Sequence, residues 1–394
     1  MSPLMSTKKT KVEHDLHELV GQVLNERLRV VQLSYVSPRQ WLYEVEPPSV
    51  GKTRRALKVF GHAAGREPGS FYRLKTTCDR LKGLECSHLE AVYETGVLHD
   101  LTPYLVTEWE PHVSLYEHLR LLRRPMSWGE ALPLLIEVCE GLQALHQRGV
   151  THGDLRAQHV LLREPPRGAL LIDFGVSVAF GAPPAPGLDK SLAYWAPERL
   201  TFAAATPATD LYSLGVLMFL CLAGRLPFIP EAASEEDPVD PAQRLSELHR
   251  SAPPPALARP DVPPAVVALV ARLMSKEPSK RPPKVDAVLE VLRHPEGVAL
   301  SVVSPPQGRA QEVARPAKPA RAVPAAPAPH LELPSLLATP LPAGAAWVES
   351  AARVAHAERP APSRTAPPRP LIALWVALTL GAIPLALSLA RLLS

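Results

Sequence analysis

Two short stretches carry most of the chemistry this chain can offer. His152–Leu162 reads HGDLRAQHVLL, and Asp173-Phe174-Gly175 follows, its acid nineteen positions after Asp154 (173 − 154). A carboxylate in a polar loop can take a proton from a hydroxyl nucleophile, or can hold a hard divalent cation through its oxygens. Upstream, Lys58 is the one cation of Ala56-Leu57-Lys58-Val59-Phe60, a short apolar run of strand character. Downstream stand Tyr194-Trp195-Ala196-Pro197-Glu198, then Asp210-Leu211-Tyr212-Ser213-Leu214-Gly215, then Arg281-Pro282.

In this order and at these distances, the segments resemble the catalytic core of the protein kinase family, in its bacterial serine/threonine type. That family's pattern is H-R-D-L-K-x-x-N followed by D-F-G, with a V-A-I-K lysine before it and A-P-E after it. The resemblance covers most of Leu19–Leu292 and implies an α+β, two-lobed fold, with a strand-rich front lobe and a helical back lobe. It implies ATP as cofactor with Mg²⁺, or alternatively Mn²⁺, and a protein hydroxyl as acceptor.

The resemblance also implies roles. Asp154 is the base, and Arg156 brings positive charge to the γ-phosphate. Lys58 grips the α- and β-phosphates, Asp173 holds a metal ion, and Glu108 lies at the nucleotide. Glu198 pairs with Arg281, and Asp210 anchors the catalytic loop. Lys58 needs a carboxylate partner on the following helix. Counting back from His88 puts Asp79 in that slot, with Glu85 as the alternative.

Three departures from the pattern bear on activity. Gly153 replaces the arginine that couples the loop to a phosphorylated activation segment, so activity independent of phosphorylation at Ser191 is expected. His159 replaces the asparagine whose carbonyl oxygen meets a second metal ion. Imidazole is a poor ligand for Mg²⁺, so a histidine that bonds the loop backbone is expected ahead of a metal ligand. Between Leu33 and Trp41 no glycine appears, and Pro38 removes an amide donor where the family cradles phosphate with a glycine-rich loop. Gly51-Lys52-Thr53 lacks the first glycine of a P-loop and reads as a turn.

The elements that must position these residues are partly legible. Strands are expected at Leu28–Leu33, Trp41–Val45, Ala56–Phe60 and Tyr104–Glu108, with one helix interrupting them over Phe71–Leu84. After Glu110 the pattern turns helical. Ser127 and Glu130 form a capping box, Leu132, Leu135, Cys139, Leu142 and Leu145 recur at helical spacing, and Gly149 supplies the stop. Leu211–Ala223 is short and interrupted by polar residues, which predicts a buried helix of the back lobe.

Composition divides the rest of the chain. Residues 1–18 are an N-terminal extension without an apolar segment of the signal-peptide kind, and 19–295 form the kinase-like domain. Residues 304–370 hold fifteen prolines and one aromatic, Trp347, a composition that cannot bury enough apolar surface to fold. Residues 371–390 (LIALWVALTLGAIPLALSLA) carry no charge, and a helix at about 1.5 Å per residue over them spans about 30 Å, a bilayer's hydrocarbon thickness. A tail anchor in the inner membrane is expected, with the domain on the cytoplasmic side, where ATP is. Cys78, Cys86, Cys139 and Cys221 show neither paired nor metal-type spacing, and a net charge of +4 gives no case for a nucleic-acid partner.

The expected function is a slow, membrane-anchored protein serine/threonine kinase. A pseudokinase acting as nucleotide sensor or scaffold is the alternative, on the strength of Gly153, His159 and the missing glycines. A small-molecule phosphotransferase shares the H-G-D motif, but Tyr194–Glu198 and Asp210–Gly215 argue against it.

Overall fold

The computed structural model describes residues 19–296, apart from 37–39, 48–53, 62–68, 99–100, 111, 164–167, 181–190, 202 and 231–238. The expected tether over 304–370 and span over 371–390 lie outside the described residues. Among the described residues no helix is long and apolar enough to cross a membrane.

The front lobe is built on an antiparallel sheet of six strands. β1 (Val23–Leu24), β2 (Leu28–Val36), β3 (Gln40–Glu46) and β4 (Arg55–Phe60) precede α1 (Ser70–Leu81), and β5 (Val92–Val97) and β6 (Pro103–Glu108) follow it. Their order in the sheet is β1-β2-β3-β4-β6-β5. Alternation along a strand decides which side chain faces where. Leu57 and Val59 of β4 join Tyr43, Val45 and Val106 in one buried face. Lys58 and Phe60 turn to the other, where α1 packs Leu74 and Cys78 against Phe60 and Leu105. A lysine at that position is buried with the apolar side chains rather than solvated, and Lys58 is 4% exposed.

β5 is absent from the sequence expectation. Its Tyr93-Glu94-Thr95-Gly96 centre breaks the apolar alternation, and the strand is paired by context, through Gly96↔Tyr104 and Thr95↔Leu105. A side chain at Gly96 would collide with the Tyr104 ring, 2.6 Å from its Cζ, so glycine is needed there. The helix expected over Phe71–Leu84 ends three residues earlier, at Leu81, before Gly83 in a left-handed turn.

The back lobe begins with β7 (Val113–Ser114), α2 (Leu115–Leu122) and α3 (Trp128–Gln147). β8 (Val160–Leu162), β9 (Ala169–Leu171) and the single-turn α4 (Val176–Ala179) come next. The remaining helices are α5 (Pro207–Ala223), α6 (Pro241–Ser251), α7 (Pro264–Leu273) and α8 (Val285–Arg293). The capping box closes α3: Ser127 Oγ accepts from the Glu130 amide, and Glu130 Oε2 accepts from the Ser127 amide at 2.8 Å. α5 is buried from Thr209 to Leu222 and forms the axis of the lobe's core, where each fully buried leucine stabilises by about 1.5–3 kcal/mol.

β7, β8 and β9 form a small antiparallel sheet that positions the catalytic loop and the triplet after it. β8 follows His159 directly and β9 leads into Asp173. β9 is also bonded to the segment before β5: Leu171 N–H donates to the His88 carbonyl, and Glu90 N–H donates to the Leu171 carbonyl, each at 2.9 Å. The four cysteines are free thiols, with Cys78, Cys139 and Cys221 buried.

Candidate active site

Lys58 is the centre of a buried charge cluster. Its Nζ donates to both carboxylate oxygens of Glu90, at 2.8 and 2.7 Å, and to Asp173 Oδ1 at 2.7 Å. Burial works against the lysine's charge, but Asp173 and Glu90 outweigh it and hold Lys58 protonated. Burial likewise penalises the Asp173 carboxylate, and Lys58 with His159 reverses the effect, bringing it down to about 2. Glu90 goes the other way: burial raises it more than Lys58 lowers it. Thr107 Oγ1 donates to Glu90 Oε1 at 2.8 Å, so β6 holds that carboxylate from a second side.

Glu90 corrects the expectation for Lys58. Asp79 lies on the solvent side of α1, 42% exposed at its side chain, and pairs with Lys75 at 2.7 Å and Lys82 at 2.5 Å. Those two hydrogen bonds bring its carboxyl down to about 2. Glu85 is exposed in the loop beyond the helix. What α1 turns toward the site is Thr77, whose Cγ2 stands 2.7 Å from where a side chain on Gly175 would begin. Asp79 follows two residues later, about 200° around a helix of 3.6 residues per turn, and so cannot share that face. A signal for Glu90 existed: it is a lone acid in the apolar run Leu89-Glu90-Ala91-Val92, where an unpaired charge would be costly.

The catalytic loop places Asp154, Arg156 and His159 beside this cluster. His159 Nδ1 lies 2.8 Å from the Asp154 carbonyl, which can only accept, so Nδ1 carries the hydrogen and Nε2 the lone pair. Arg156 Nε donates to that Nε2 at 3.3 Å, and Asp173 Oδ2 lies 3.7 Å from it. Burial first, then the Arg156 charge, pushes His159 down to about 4, so the ring is neutral at pH 7. The Asp154 carboxylate is 19% exposed, with Oδ2 3.6 Å from His159 Nδ1 and 3.7 Å from Arg156 Nε. His159 thus braces the loop backbone and stands between the two carboxylates, 3.6 Å from Asp154 Oδ2 and 3.7 Å from Asp173 Oδ2.

The loop is held from below by Asp210 of α5. Its Oδ2 accepts from the His152 amide at 2.8 Å and its Oδ1 from the Gly153 amide at 2.9 Å, while His146 Nε2 reaches Oδ2 at 2.8 Å. His152 sets its ring edge-on to Phe174, with centroids 6.3 Å apart. Further out, Arg281 is 2% exposed and forks onto Glu198, Nη1 to Oε1 at 2.6 Å and Nη2 to Oε2 at 2.8 Å. Glu108 ends β6, its amide donated to the Ala91 carbonyl, and burial with Glu110 nearby raises its carboxyl.

Asp173 fits a divalent cation in one respect. A single carboxylate with nucleotide phosphates and water is an ordinary Mg²⁺ environment, and Lys58 bonds Oδ1 while Oδ2 lies 3.7 Å from His159 Nε2. Among the described residues no group of three ligating side chains is assembled, so the protein supplies few of the ligands itself.

The Protein kinase domain family matches residues 77–295. The serine/threonine-protein kinase pkn2 of Myxococcus xanthus is 32% identical over 309 residues, which cover 75% of this chain and 35% of that protein. The chain therefore spans about a third of the length of that relative. The serine/threonine-protein kinase PknA of Mycobacterium tuberculosis is 30% identical over 311 residues, covering 75% of this chain and 68% of the relative. Among solved structures, the kinase domain of Mycobacterium tuberculosis PknI superposes with a TM-score of 0.54 at 22% identity, over 70% of this chain and 97% of that one. At that identity the likeness shows the fold alone.

Proposed function

This chain belongs to the protein kinase family, of the bacterial serine/threonine type, and we propose that it transfers the γ-phosphate of ATP to a serine or threonine hydroxyl of a protein. The observation that carries the reading is the convergence of Lys58, Asp173 and Asp154 in one cleft. Lys58 and Asp173 are 2.7 Å apart, and His159, hydrogen-bonded to the Asp154 carbonyl, places its Nε2 3.7 Å from Asp173 Oδ2. Asp154 accepts the hydroxyl proton, Arg156 offers charge to the transferred phosphoryl group, and Lys58 orients the phosphates. A Mg²⁺ or Mn²⁺ ion held by Asp173 with the nucleotide would neutralise phosphate charge.

Turnover is proposed to be slow. His159 gives an imidazole where the family uses an amide oxygen, and Ser37-Pro38-Arg39 offers no glycine to bring backbone amides to phosphate. Losing one such electrostatic contributor costs about 10²–10³ in rate. A second reading, a pseudokinase that binds nucleotide without transferring phosphate, is favoured by one observation: all three Lys58 hydrogens are already spent on carboxylates. Labelled-ATP phosphotransfer by the full chain, beside Asp154→Ala, separates the two. Incorporation lost in the variant supports the enzyme, and equal background in both supports the sensor.

Residues 371–390 are proposed to anchor the protein in the inner membrane by its tail, with 304–370 as the tether and 19–295 as the cytoplasmic kinase domain. Support comes from twenty residues without a charge after a proline-rich segment. Flotation with liposomes tests it: the full chain is expected to float and a 1–370 truncation to stay in the soluble fraction. Both chains remaining soluble would refute the anchor.

A further inference from the structure

In the arrangement usual for this family, the lysine that grips phosphate is steered by an acid on the helix after its strand. Here that helix, α1, brings Thr77 rather than a carboxylate to the cleft. Both anionic partners of Lys58 come from elsewhere. Glu90 lies in the segment before β5, and Asp173 follows β9. Those two segments are stitched to one another by the Glu90–Leu171 and Leu171–His88 backbone bonds. Glu90 is tied to the large sheet as well, through Thr107 of β6, and β6 pairs directly with β4 as Lys58↔Leu105.

Every support of the pair therefore lies in the sheets. α1 is held by different means: Leu74 and Cys78 pack beneath it against Phe60 and Phe180, and Arg73 Nε donates to the Ala179 carbonyl at 2.6 Å. Phe180, just after α4, lies on Phe60 with ring centroids 4.5 Å apart. Shifting α1 or α4 would disturb that apolar cluster without touching a hydrogen bond of the Lys58–Glu90 pair.

We propose that Glu90 is the positioning residue that orients Lys58 toward the nucleotide's phosphates, and that this pairing is independent of where α1 sits. The inference rests on the nucleotide-dependent reading above and deepens it. When ATP enters, Asp173 releases the third lysine hydrogen to phosphate, and Glu90 keeps the other two. A chain so built has no switch in which helix displacement unpairs the lysine.

Equilibrium binding of ATP and of adenosine to the full chain, with Mg²⁺, tests this. Adenosine has no phosphate, so it reports the integrity of the pocket without Lys58. Glu90→Gln is expected to weaken ATP by about tenfold, the worth of one oriented charge-assisted hydrogen bond, and to leave adenosine unchanged. Arg73→Ala, which removes a tie of α1, is expected to leave both ligands unchanged. Should Glu90→Gln fail to melt cooperatively, Glu90→Asp, shorter by one methylene but still charged, is expected to give the same selective loss in milder form. Equal losses for ATP and adenosine, or none, would overturn the proposal, as would a tenfold loss of ATP in Arg73→Ala. A wild-type chain that binds ATP no better than adenosine would overturn the nucleotide reading and this inference together.

Discussion

Asp210 accepts hydrogen bonds from two successive amides of the catalytic loop, His152 at 2.8 Å and Gly153 at 2.9 Å. One buried carboxylate near the start of α5 thus fixes the loop that carries Asp154 one residue later. Asparagine at that position has a single acceptor oxygen and presents an NH₂ group to a neighbouring donor. Asp210→Asn is expected to destabilise the domain by about 1–3 kcal/mol, the cost of a buried donor left unpaired. Phosphotransfer should fall further than stability alone explains. Chemical denaturation beside an activity assay checks both.

Gly153 cannot simply be returned to arginine. Its φ is +77°, and a side chain there would begin 2.5 Å from Val178 Cγ2. Gly153→Arg is expected to lower the melting temperature, corresponding to about 1–3 kcal/mol of strain, and to confer no dependence on phosphorylation. Ser191 is 4% exposed, so it is not presented to another kinase, and Ser191→Ala is expected to leave the transfer rate unchanged. A rate that collapses in Ser191→Ala and is restored by a phosphate mimic would refute this account.

His159 is the residue whose exchange should increase activity. It braces the Asp154 carbonyl through Nδ1, a hydrogen bond that an asparagine amide can also donate. Asparagine adds an oxygen ligand suited to Mg²⁺. His159→Asn is expected to raise the Mg²⁺-supported rate by about 10²-fold, the scale of one electrostatic contributor to a transition state. A fall in rate would show that the imidazole itself serves the reaction.

Acid should unfold this domain through its buried histidines. Burial pushes His152 down to about 4 and His249 down to about 3, from an ordinary value of 6.5. As pH falls through 6.5 the unfolded chain takes up protons at both sites while the folded chain does not. The unfolded state then binds more protons, so stability falls with pH, by about 1.4 kcal/mol per unit for each site over that range. Below it, Asp173, held at about 2, continues the loss. Melting temperature is expected to be level near pH 7 and to drop steadily from pH 6.5 to pH 4. A flat profile across that range would contradict the burial of both rings.

The sequence exposes the fold where periodicity is strong and the site where motifs are local. Leu132 to Leu145 recur at helical spacing, the 127–130 capping box is explicit, and α3 follows. His152–Leu162 and Asp173–Gly175 are legible because each motif is contiguous and flanked directly by β8 or β9, although the side chains that hold them, Asp210 and Lys58, lie 57 and 115 residues away. β5 is hidden because its alternation is diluted and its pairing with β6 is set by the sheet. Glu90 is hidden for a different reason. Counting back from His88 points to Asp79, but no count along the chain can reveal that α1 turns Thr77 inward. The lysine's partner is fixed by tertiary proximity, 32 residues along the chain; the local run Leu89–Val92 marks Glu90 as an acid in need of a partner but does not say which.

The most direct test of the kinase reading is transfer of labelled phosphate from ATP, by the full chain with Mg²⁺ or Mn²⁺, to itself and to a generic protein substrate. Asp154→Ala is run beside it, with ATP binding confirmed for both chains. The account predicts slow incorporation on serine or threonine that disappears in Asp154→Ala while ATP binding persists. Incorporation that is equal in the two chains, or absent from both, would contradict Asp154 as the base and the protein as a kinase.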